Sequence, residues 1–69
     1  MTKQHTYYGN PSGRSATHIV SDARRDAIRA HGNDGRWDLE YLDLWNREIR
    51  DSNDNLIMEQ SKVVVRQVS

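Results

Sequence analysis

Three histidines, ten carboxylates, ten basic groups and a scatter of hydroxyls are the side chains here that could do chemistry, and there is no cysteine. His5, His18 and His31 fall one in each of the first three segments of the chain. They form no His-Glu-x-x-His and have no carboxylate in local register, so their spacing matches no metal motif. His31 reads instead as a residue of a helix's last turn, favoured there by the dipole. Nucleophilic catalysis needs an activated hydroxyl or thiol, a base and an oxyanion hole. The serines sit in loops or at a helix cap, and no Gly-x-Ser-x-Gly elbow is present. Gly9 to Ser15 is rich in glycine and serine, but no Gly-Lys-Ser/Thr follows it, so it reads as a surface loop and not as a phosphate cradle. The carboxylates fall on what read as solvated faces, and a chain this short has little room for a deep pocket. The expectation is a protein that is not an enzyme and that uses no metal and no cofactor.

Two surfaces remain that could bind a macromolecule. The first is the stretch Trp37 to Trp45, which holds both tryptophans, one of the three tyrosines and three leucines in a chain without phenylalanine. Aromatic groups of this size dominate cores and interfaces. Trp37, Glu40, Tyr41, Asp43 and Trp45 are the residues expected to meet a protein partner, the acids suiting a basic groove on it. The segment 37–59 carries seven acidic and two basic residues. The second surface is basic: Arg14, Arg24, Arg25 and Arg29 would touch phosphates if the chain bound nucleic acid, with Tyr7 and Tyr8 available to stack on bases. Against this alternative, Asp22–Arg25 and Asp26–Arg29 are spaced as i,i+3 pairs that neutralise a helix face. The sequence pI is also near 6.8. Residues 1–36 hold six basic and three acidic side chains, and residues 37–69 hold four and seven, so the halves are +3 and −3. Internal pairing, head-to-tail association or two partner surfaces would each follow from that asymmetry.

The elements that must carry these residues are few. Sixty-nine residues make one small domain over 1–69, near the lower end of what folds alone. Such a core supplies roughly 3–5 kcal/mol, so oligomerisation or docking on a partner is the expected staple where disulfides are excluded. Gln4 to Tyr8 suits a short edge strand, and residues 9–16, with Gly9-Asn10-Pro11-Ser12-Gly13, a mobile loop. Ser21 is placed to cap a helix over Asp22 to His31 that Gly32 closes. Ala23, Ala27, Ile28, Ala30 and His31 would share its inner face, opposite Asp22, Arg25, Asp26 and Arg29. Asn33-Asp34-Gly35 is a turn. Residues 36–50 read as a strand in which Trp37, Leu39 and Tyr41 alternate with acids until a β-bulge slips the phase. The alternative is a second helix at 36–50 with Trp37, Tyr41, Leu44, Trp45 and Ile49 on one face. Asp51 to Asn55 is a hairpin tip. Leu56-Ile57-Met58 follows, then a polar break at Glu59 to Lys62, then the strand signal Val63-Val64-Val65.

The expected fold is therefore α+β, in the order β-α-β-β, with one helix packed on a sheet of three or four strands. In size and element order the chain resembles small phage-encoded proteins that bind and inhibit host enzymes, among them inhibitors of host RNA polymerase and anti-CRISPR proteins. The resemblance implies a non-catalytic phage or mobile-element regulator that occludes a site on a larger host protein. No apolar run approaches the roughly 18–20 residues of a membrane span, and no signal-peptide core stands at the start, so a cytoplasmic protein is expected. A homodimer, or a face held for the partner, is expected as well, with Trp37 or Trp45 near its centre, because consecutive apolar residues in the strands would load both faces of the sheet while one helix covers one.

Overall fold

The computed structural model describes residues 3–33 and 35–68 and shows an α+β domain of one helix on a three-stranded antiparallel sheet. The elements are β1 (Gln4–Gly9), α1 (Ala16–His31), β2 (Arg36–Arg50) and β3 (Leu56–Val68). Strand order is β1-β3-β2, so β3 lies in the centre and bonds to both others. The turn expected at residues 33–35 includes Asp34, which lies outside the described residues.

Period-2 alternation settles the faces of β1 and β3. His5, Tyr7 and Gly9 lie opposite Val65, Val63 and Ser61, and these six positions form the side covered by α1. The alternate positions Gln4, Thr6 and Tyr8 lie opposite Arg66, Val64 and Lys62 on the other side. Tyr7 lies so close over Gly9 that a Cβ there would come within 2.8 Å of its ring, which is why β1 ends on glycine. The core is Ile19, Ala23 and Ala27 of α1 against Trp37, Val63 and Val65, with Tyr7, Val20, Leu42 and Leu44 packed around it. Two alanines at the crossing let the helix lie close on the valines. Burying Ile19 and each such aliphatic contributes about 1.5–3 kcal/mol.

The helix begins six residues earlier than the sequence suggests. Ser15, not Ser21, is the N-cap: its backbone is extended and its Oγ accepts from the amide of His18. The β-branched run at residues 17–20 is thus helical, because starting at Ala16 carries Ile19 into the core, a gain that outweighs a small loss of propensity. The end agrees with expectation. Gly32 has φ of 94° and its amide donates to Ile28 O, a left-handed closure that disfavours any residue with a Cβ. Ala30 and His31, placed on the inner face by the helical wheel, are exposed.

Residues 36–50 form strand and not a second helix. Three register shifts against β3 explain the mixed periodicity. Glu40 is inserted between the pairs Leu39–Val65 and Tyr41–Val64. From Asp43 to Arg47 β2 advances four residues while β3 moves only from Lys62 to Gln60. A third shift between Ile49 and Arg50 places the extra residue on β3. The polar stretch 59–62 does not break β3, which runs through it. At the hairpin tip Asp51 Oδ1 accepts from the amides of Asn53 and Asn55, both at 2.9 Å, and Asp54 takes a φ of 62°.

β1 ends opposite Ser61, so β2 and β3 continue past it as a two-stranded arm. The molecule measures 48 × 22 × 18 Å as a result.

Candidate functional site

The five residues expected to meet a protein partner are separated by the fold. Trp37 is 3% exposed and belongs to the core. Its carbonyl accepts from Arg24 Nε at 2.9 Å, and its own Nε1 has no hydrogen-bond partner. Glu40 and Tyr41 stand on the face of the sheet away from α1, where Glu40 Oε2 accepts from Gln4 Nε2 at 2.7 Å and Lys62 Nζ lies 6.0 Å from the centre of the Tyr41 ring. Asp43 pairs with Lys62 in the ladder on that same face. The face is mixed, carrying Asp38 and Asp43 beside Arg66 and Lys62 together with Val64 and the exposed Tyr8 and Tyr41. It is not the second apolar face that the consecutive hydrophobic residues suggested, since the inserted Glu40 puts Leu39 and Leu42 both toward the helix.

Trp45 is placed very differently. It sits in the bulge at 44–46, where three residues face Ser61 alone, is 59% exposed, and is held on both sides. Its amide donates to Asp43 Oδ1 at 3.2 Å. The preceding carbonyl, that of Leu44, accepts from the hydroxyl of Ser61 at 2.8 Å. Ser61 is fully buried and is the one polar side chain among the buried residues described. It stands where the widened strand leaves a carbonyl without a ladder partner. Bulges commonly re-aim a side chain in this way.

Beyond the bulge the arm keeps its apolar groups in water. Leu56, Ile57 and Met58 are exposed, Ile57 by 64%, and Ile49 is half-buried opposite Met58. Leu56 to Glu59 form one hollow with Asn10 and Ser12 of the loop after β1. These three β3 residues were not among the expected contacts. Their signal was the apolar triplet itself, which no strand of period two can bury on one side. At the tip, the Asn55 amide foremost holds the Asp51 carboxyl below its ordinary value, against desolvation as the next largest effect, with the Asn55 side chain and the Asn53 amide adding to the lowering.

The four arginines of the nucleic-acid alternative are mostly engaged within the molecule. Arg14 and Arg25 both pair with Asp22, and Arg24 is bound to Trp37 O. Asp26 does not pair with Arg29 as the i,i+3 spacing suggested. Its Oδ2 lies 2.6 Å from His5 Nε2 of β1. His5 in turn meets His31 across 3.1 Å. No spacing in the sequence signals that cluster, since Asp26 and His31 lie near the end of α1 and His5 comes from the distant β1. Among the described residues no group of three or more metal-binding side chains converges, and no helix is long and apolar enough to cross a membrane.

Comparison of the chain with protein-family models, curated proteins and solved structures finds no match.

Proposed function

We propose that this protein is a non-catalytic interaction module that docks its β2–β3 arm on a larger protein, with Trp45 as the anchor. The observation that carries the reading is the bulge: an exposed tryptophan whose backbone is fixed by the Asp43 carboxylate on its own amide and by Ser61 on the preceding carbonyl, on the same β2–β3 hairpin as exposed Leu56, Ile57 and Met58. Tryptophan in such a setting is a common interface hot spot, and rigid presentation lowers the entropy lost on binding. Glu40, Tyr41 and Asp43 flank the anchor as its polar rim, while Trp37 acts only through folding. In size and element order the chain fits a phage or mobile-element regulator that occludes a site on a host protein in the host cytoplasm.

The test uses the tagged full chain with Trp45→Ala and Ile57→Asp, each checked for an unchanged melting curve. A protein retained from the lysate of a host by the parent and lost from both variants supports the reading. Equal retention by all three ends it. A second copy of the chain is the competing occupant, and sedimentation at micromolar concentration with and without Ile57→Asp separates the two. The nucleic-acid reading with Arg14, Arg24, Arg25 and Arg29 predicts duplex binding that weakens steeply with salt, and three of those four groups already have partners inside the fold.

A further inference from the structure

Away from the arm, the end of α1 is tied to β1 by a chain of three titratable groups: Asp26, His5 and His31. We infer that this chain is a proton-operated latch, closed while the two histidines share at most one added proton and opened by a second.

The hydrogen count follows from the geometry. An ionised Asp26 only accepts, so His5 carries a proton on Nε2 and donates it across 2.6 Å. His5 Nδ1 then presents a lone pair, and His31 Nε2 donates to it across 3.1 Å. His31 keeps a lone pair on Nδ1. One added proton is accommodated in either of two ways. On His31 Nδ1 it turns that ring into a stronger donor to His5. On His5 it makes that ring donate at both nitrogens, to Asp26 and to a His31 whose tautomer has changed. Both arrangements keep every contact. A second added proton has no such place. Both nitrogens at the 3.1 Å contact would then be donors, and two cationic rings with centroids 5.1 Å apart would share a single carboxylate.

Among the described residues, the neighbours of His5 add no second carboxylate. From α1 the groups facing His5 are Asp26 and His31. From β3 its ladder partner is Val65, and from β2 the ring that meets both histidines is Trp37. Tyr7 is its neighbour on the covered face of β1. His5 is only 15% exposed, so water screens it poorly, whereas His31 is exposed. Histidine is the side chain that changes charge between about pH 5 and pH 8, so the latch works where other pairs in this fold are inert. What it releases is defined too. His31 lies over Trp37 at 5.4 Å, tilted by 32°, so parting the two histidines uncovers the indole.

The experiment is a titration from about pH 8 to about pH 5 of the full chain carrying Trp45→Phe, so that Trp37 is the sole indole. Histidine ring resonances and Trp37 emission are followed together. The expected result is two separate steps for the His5–His31 pair, the lower one carrying a red shift of Trp37 emission and faster amide exchange at the end of α1. His31→Gln, which still donates to His5 but takes no proton, should abolish the lower step and the red shift. Asp26→Asn should move both steps to lower pH, and it serves as a second reading if the glutamine variant folds poorly. Two histidines that titrate in one step, with Trp37 emission constant, would overturn the latch.

Discussion

Trp37 and Trp45 have the same side chain, eight positions apart, and the fold uses them in opposite ways. Truncating Trp37 to alanine removes the largest buried group, at a cost of about 3–5 kcal/mol, which equals what a core of this size supplies. Circular dichroism of Trp37→Ala should show an unfolded chain. Trp45→Ala should melt within about 0.5 kcal/mol of the parent, as surface changes do. Ser61→Ala should cost about 1–3 kcal/mol by denaturant titration, because it leaves the Leu44 carbonyl in the bulge unpaired. Asp51 gives a prediction with a sign. Its carboxyl is held below its ordinary value by the Asn55 amide first, so the tip contacts persist above the normal carboxylate range and are lost only as pH falls through the lowered folded value. The amide shifts of Asn53 and Asn55 should move together, with a midpoint below the ordinary aspartate value. None of this division of labour was legible in the sequence. Which tryptophan is buried depends on where Glu40 and the 44–46 bulge insert; the phase slip near Tyr41 marks the first in the sequence, and nothing there marks the second.

At the scale of elements, more could be read. The helix and its glycine stop, the edge strand at Gln4 to Tyr8, the tip at Asp51 to Asn55 and the valine strand all follow from local chemistry. The helix start was missed because Thr17, His18, Ile19 and Val20 prefer extended backbone, and only the burial of Ile19 under tertiary packing reverses that. The strand–helix ambiguity over 36–50 has a physical source: three register shifts inside one strand produce apolar spacings of three and four, which a helix would also give. Two substitutions test the helix as built. Ser15→Ala should cost about 1 kcal/mol through loss of the cap, while Ser21→Ala, at the cap position the sequence suggested, should not act through a cap. Ala27→Leu should cost about 1–3 kcal/mol by overpacking the contact with the sheet. A variant as stable as the parent would place Ala27 off that contact.

For the molecule as a whole, the charge asymmetry of the halves is spent partly inside. Asp22 takes Arg14 and Arg25, and the open face of the sheet sets acids of β2 beside bases of β3. Replacing Arg25 and Arg29 together by Gln should change stability by less than about 1 kcal/mol and leave retention of the arm's partner intact. Lost retention with an unchanged melting curve would transfer the binding surface to the helix.

The position of β3 in the centre of the sheet has a consequence in time. Both neighbours of β3 precede it in the chain, and neither bonds to the other. A ribosome that has delivered residues 1–55 has therefore made a helix and two strands with nothing to pair with. The core lacks Val63 and Val65, and the bulge lacks Ser61. Folding must wait for the arrival of β3, and until then the Trp37–Trp45 segment stays open to whatever meets the nascent chain.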